Sequence, residues 1–476
     1  MKIKKTNDNN SINTYRTKKL ISIILAATSV FSLASCKSEE EKKDYTLPPE
    51  TSSSTFIEGD SEKYDEFYTE VAPEEMTQVI LEQTTANNEE INYQEIINEI
   101  NKLNYNSNYS VFNDYDILKR PSLEKEQIIA QNLNQPMNEK DYANRNYDWY
   151  INGKVNEEKL YDKIIKNNFK RTGISDSNAK LIAKTIAETV QVNLDFMSEK
   201  HPNYNLDIAL YGIDNLTVQD YPEGDFICFM DYGKIKVFVN FNNVNDISTL
   251  KYSMSHELFH LIFSKSLNRD DVIINGCGID AMNTDESPLY AEFLSEHTVE
   301  SYSYEAFGKE DPCDYWDNYM LTDLLCLSTG KDRQYFKDCF VNNNNQGLIN
   351  CFENGMNSFN TALSIYDAID IGLGYGDVTK ELKNRGDFDI ASVQGEALNY
   401  VKFNLYKNLL IRLTNELQQG KISMDEAQMQ IDEFKNRVFN IENNITWVNS
   451  DKNNYSDSIA KLDGQFNKLQ KNKIYA

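Results

Sequence analysis

The stretch ISTLKYSMSHELFHLIFSKS, residues 247–266, decides how this chain is read. Asn245-Asp246 offers a cap at its start, and apolar residues then recur at three- and four-residue spacing, so the segment reads as a helix. Within it lies His256-Glu257-Leu258-Phe259-His260. Residues four apart share one helix face, so both imidazoles can point at a single ion. Two neutral imidazoles suit Zn²⁺, which takes nitrogen ligands in tetrahedral geometry. Glu257, one step round, falls beside the ion's open position, where a water molecule needs a base. With four histidines and 37 glutamates in 476 residues, chance would produce this pattern only about 0.003 times. Met254, Leu258, Phe259, Leu261 and Ile262 surround the pair, which makes this a buried helix rather than one displaying histidines to solvent.

Short β-rich runs precede the helix. DIALYGI (207–213), DFICFM (225–230) and KIKVFVNF (235–242) read as strands, the last two forming a hairpin across Tyr232-Gly233. Further upstream, Ser175 or Ser177 caps a long amphipathic helix that stops before His201-Pro202. Downstream, a loop rich in Asn, Asp and Gly comes after Gly276, and Ser287-Pro288 opens a second helix, PLYAEFLSEHTVESYSYEAF. Segments 91–171 and 306–476 read as mainly helical. In the second, Ser423-Met424-Asp425-Glu426 is a capping box.

This arrangement of strands, edge hairpin, two-histidine helix and second helix resembles the zincin metallopeptidases over roughly residues 205–305. The resemblance implies an α+β chain with a zincin-like catalytic core at 172–305: a small mixed sheet with an antiparallel edge hairpin, plus the active-site helix. It also implies a bound Zn²⁺, a peptide or protein substrate, and Glu257 as the catalytic base. The third ligand defines the subfamily. No histidine occurs in the next stretch, SKSLNRDDVIINGCG, which closes the metzincin route. The gluzincin pattern takes a glutamate from the next helix, with a second acid four residues on to orient a ligand histidine. Glu292 and Glu296 fit those two roles, with 31 residues between His260 and Glu292. Glu286, Glu300 and Glu305 are rivals. His297 and several tyrosines lie downstream, and none of them is assigned to stabilise a transition state.

The N-terminus carries an address. Six basic residues and Asp8 precede the apolar run LISIILAATSVFSLAS (20–35), which Cys36 closes. Leu33-Ala34-Ser35-Cys36 resembles a bacterial lipobox, which implies a signal peptide (1–36), lipid attachment to Cys36 and a chain held on the extracytoplasmic face of the cell membrane. Residues 37–90 hold four lysines against sixteen acids, so a solvated acidic tether is expected. A formal net charge of −26 argues against nucleic acid as a partner, since phosphate binding needs clustered cations. Six further cysteines lie between residues 228 and 351, where disulfides and buried thiols are both open. The competing functional class is a surface binding or adhesion lipoprotein whose zincin-like domain no longer turns over substrate.

Overall fold

The helix carrying the two histidines is packed on all sides from Met254 to Phe263, and the rest of the fold is arranged around it. The structure is a computed structural model. It describes residues 92–106, 145–168, 175–223, 226–231, 236–244, 246–269, 272–277, 280–283, 291–309, 316–342, 344–352, 359–375, 389–448 and 451–474. The signal segment, Cys36 and the acidic tether lie outside the described residues, as do Ser287-Pro288 and Glu286.

The N-terminal part contributes α1 (Tyr93–Lys102), a two-stranded ribbon β1 (Tyr150–Ile151) and β2 (Lys154–Val155), and α2 (Glu157–Asn168). Helix α3 (Asp176–Lys200) starts where its sequence cap predicts, with Ser175 Oγ accepting the Asn178 N–H, and ends at His201. Next come α4 (Leu206–Asp214) and the strands β3 (Thr217–Asp220), β4 (Cys228–Asp231) and β5 (Lys236–Val239). These form a three-stranded sheet of order β3-β5-β4, in which β3 runs parallel and β4 antiparallel to β5. The expected hairpin is therefore present, with β4 at the sheet edge. Side chains alternate as a pleated strand requires: Val237 and Val239 enter the main core, while Phe238 joins Phe226, Phe229 and Tyr221 on the other face.

The histidine helix is α5 (Ile247–Phe263). A three-stranded antiparallel meander comes next, β6 (Ser264–Arg269), β7 (Val272–Cys277) and β8 (Asp280–Asn283), where the sequence reading had a helix end and then a loop. Then comes α6 (Glu292–Glu305), buried from Phe293 to Ser303. The remainder is helical as expected: α7 (Trp316–Thr329), α8 (Arg333–Val341), α9 (Asn345–Asn350), α10 (Phe359–Leu373), α11 (Ile390–Gln418), α12 (Met424–Asn444) and α13 (Lys452–Ile474). The Ser423/Glu426 capping box opens α12 with both reciprocal hydrogen bonds. A contiguous apolar cluster runs from Ile96 to Leu469 and joins the helical regions to the sheet. No helix among the described residues is long and apolar enough to cross a membrane.

Two further elements differ from the sequence reading. DIALYGI is not a strand but most of α4. Asn205 caps it by accepting the Asp207 N–H, and Ala209, Leu210 and Ile213 bury a helical stripe. A short apolar run satisfies both periods, and here the packing decides. At Gly212 a Cβ would stand only 3.0 Å from Leu261 Cδ1, so the bare glycine lets α4 lie close on α5. The second difference is the start of α6. Its first helical residue is Glu292, one turn later than Ser287-Pro288 suggests. Glu292 is thus at the helix end rather than inside it.

Candidate metal centre

Helix α5 is clamped before its histidines begin. Asn193 of α3 donates from Nδ2 to the Ser255 carbonyl (3.1 Å) and accepts from Ser255 Oγ (2.8 Å). Leaving either buried group unpaired would cost about 1–3 kcal/mol, so this reciprocal pair fixes α5 along and about its axis next to the site. From there the helical period alone puts His256 and His260 on one face, turned toward α6. The two Nε2 atoms are 3.0 Å apart.

Glu296 of α6 meets both rings. Its Oε2 is 3.2 Å from His256 Nε2 and its Oε1 is 3.4 Å from His260 Nε2. These are the three residues that bring metal-ligand atoms together in one place among the described residues, and all three are buried. These separations can be compared with an ion's demands. Tetrahedral ligands about 2.0–2.1 Å from zinc stand about 3.3 Å from one another. The Nε2–Nε2 separation of 3.0 Å and the 3.2 Å from His256 Nε2 to Glu296 Oε2 are near that spacing, while His260 Nε2 meets the other oxygen, Oε1, at 3.4 Å.

One turn further along α6, Glu300 Oε2 accepts a hydrogen bond from His256 Nδ1 at 2.7 Å. That bond holds the ring with Nε2 directed at the centre. Glu257 points from α5 toward the sheet edge, where the Met230 backbone N–H of β4 donates to it. Glu257, Glu296 and Glu300 are therefore three buried carboxyl groups around two imidazoles.

Their electrostatics result from that crowding. Burial pushes Glu257 up to about 8, with Glu296 and Glu300 adding to the rise against the attraction of His256. Burial also acts against the charge on Glu296, but the two imidazoles outweigh it and hold that carboxyl well below the ordinary carboxylate range. Burial alone would depress His256. Glu296 and Glu300 overcome it and keep the ring protonated well above the usual imidazole range. Burial lowers His260. A cationic ring held between two carboxylates marks a place where positive charge is wanted, and a divalent cation can supply it in place of the proton.

The positions expected from sequence divide into those at the centre and those away from it. His256, Glu257 and His260 stand together, as the pentapeptide spacing requires. Glu292 is not one of the three residues whose donor atoms converge: it is the first residue of α6, with its backbone N–H bonded to Asp370 of α10. The carboxylate at the rings is that of Glu296, which sequence reasoning had given the orienting role, and the group orienting His256 is Glu300, which it had kept as a rival. The E-x-x-x-E pattern occurs twice along this stripe, at 292/296 and again at 296/300, and both members of the second copy contact the His256 ring. Glu305 lies apart, paired with Lys337 and Lys200.

The remaining histidines are away from the centre. His201 Nε2 and Tyr302 Oη are 2.8 Å apart in the packing between α3 and α6. His297 is fully buried edge-on against Tyr319, with ring centroids 4.2 Å apart. Cys228, Cys326, Cys339 and Cys351 are free thiols, so none of these four forms a bridge.

Comparison of the chain with family models, with curated proteins and with solved structures found no match.

Proposed function

We propose that this chain is a zinc-dependent metallopeptidase with a gluzincin-like arrangement, in which His256, His260 and Glu296 hold the ion and Glu300 orients His256. The observation that carries the reading is the buried group of two imidazoles and one carboxylate, in which the Nε2 atoms stand 3.0 Å apart and the two Glu296 oxygens lie 3.2 and 3.4 Å from them. The order of elements supports a zincin-like core: β4 at the sheet edge, then α5 with the two imidazoles, then α6 with the acid. The lipobox-like Leu33-Cys36 supports attachment of the protein to the outer face of a cell membrane, where a peptide or protein would be its substrate.

Zinc in this position would polarise the scissile carbonyl and acidify a water molecule. The protein's own groups do the rest. Glu257, buried beside the imidazoles and hydrogen-bonded to the β4 backbone, takes the proton from the attacking water and later delivers it to the departing amine. Glu296 supplies negative charge to the ion, and Glu300 keeps the His256 ring from turning.

The test is Glu257→Gln in the full chain. It should retain zinc, since Glu257 is not among the three ligands, while cleavage of an unfolded protein falls by about 10²- to 10⁴-fold. Undiminished cleavage by the zinc-loaded variant would contradict the assignment of the base.

A further inference from the structure

Helix α6 must sit at one height against α5 for this centre to form. Moving it along its axis by one turn, about 5.4 Å, would exchange Glu296 for Glu292 or Glu300 at the rings. The first N–H groups of a helix need acceptors, yet Ala291 at the cap position has no side-chain oxygen and adopts left-handed geometry (φ 54°, ψ 49°). The acceptor comes from elsewhere in the chain. Asp370 of α10 takes the Glu292 N–H on Oδ2 and the Phe293 N–H on Oδ1, both at 2.9 Å.

We propose that Asp370 is a positioning residue for the metal centre: by holding the first two amides of α6, it sets the register that brings Glu296 and Glu300 to the histidine rings. The inference rests on the metal reading of that centre. Two bonds to one carboxyl group constrain both translation and rotation of the helix end, and these amides and the helix dipole act against the burial and the neighbouring Glu292 that push this carboxyl well above the ordinary carboxylate range. The carboxylate is buried, as is Phe293, so water does not compete for these amides. Asp370 is itself anchored. Its carbonyl accepts the Tyr375 N–H at 2.8 Å, and two residues on, Gly372 lies so close to Leu398 of α11 that a Cβ there would stand 2.5 Å from Leu398 Cδ2. The link therefore runs from α11 through α10 to the start of α6, then one turn to Glu296 and a second to Glu300.

Asp370→Asn tests this, because it keeps the shape and one acceptor while turning an N–H₂ group toward an amide donor. The full chain is loaded with zinc and titrated with a competing chelator, and the Co²⁺-substituted form is examined by visible absorption. The expected result is zinc affinity lower by about tenfold or more, the range for partners that orient ligands, with an altered Co²⁺ spectrum. Asn408→Ala, which removes hydrogen bonds to Ser328 between α11 and α7, serves as the control for general loosening and should leave both readouts unchanged. Should Asp370→Asn not accumulate as folded protein, Asp370→Glu displaces the acceptors by one methylene and should shift the same two readouts. Unchanged affinity and spectrum in a folded Asp370 variant would overturn the inference. A wild-type chain that binds no zinc would instead remove the metal reading beneath it.

Discussion

Helices α5 and α11 are both buried along most of their length, yet they treat buried charge in opposite ways. On α11 every buried cation is answered from within the protein. Lys402 pairs with Glu442 at 2.6 Å, and Lys407 donates to the carbonyls of Asn101 (2.9 Å) and Leu103 (2.8 Å). The Arg412 fork reaches Glu416, Gln430 and the Leu327 carbonyl. On α5 and its partner α6 the balance is left negative: the buried Glu296 and Glu300 carboxyl groups both contact His256, which they keep protonated, and Glu257 is buried nearby. A buried ionic group normally persists only when it is paired. The α11 set meets that requirement alone, whereas the α5/α6 set meets it best with a cation added. The first arrangement locks a structure, and the second is suited to receive an ion.

Substitutions in each region sharpen this contrast. The larger effect is expected at α6. Glu300→Gln keeps the volume but removes the charge that holds His256 Nδ1, so zinc affinity should fall by about 10- to 100-fold in a chelator competition while the fold persists. Retention of full affinity would mean that Glu300 is only filling space. A smaller effect is expected at α11. Replacing Lys402 and Glu442 together by Met and Leu removes a self-contained pair, so stability measured by denaturant unfolding should change by less than about 1.5 kcal/mol and zinc binding should not change. A loss of zinc in that double variant would break the distinction between the two regions.

The sequence made legible the features that local geometry decides. Two histidines four apart must share a helix face. Alternation between Val237, Phe238 and Val239 must send side chains to opposite sides of a sheet, and a serine at 175 or 177 and Ser423 must cap the helices α3 and α12 that begin beside them, Ser175 being the one that caps α3. The features it hid depend on distant packing. Residues 207–213 are short and apolar enough for either period, and the close seat of Gly212 on Leu261 makes them helical. Glu292, Glu296 and Glu300 lie on a single stripe at equal spacing, so the pattern alone cannot choose among three registers. That choice is tied to where α6 begins, and its first amides are held by an aspartate 78 residues away. A contact of that range leaves no periodic trace.

The assignment of Glu296 rather than Glu292 is the point on which the account stands, and zinc content measured side by side in two full-length variants addresses it directly. Glu292→Gln should carry as much zinc as the unaltered chain, and Glu296→Gln should carry little. Zinc lost from the first and kept by the second, or absent from the unaltered chain, would contradict the account.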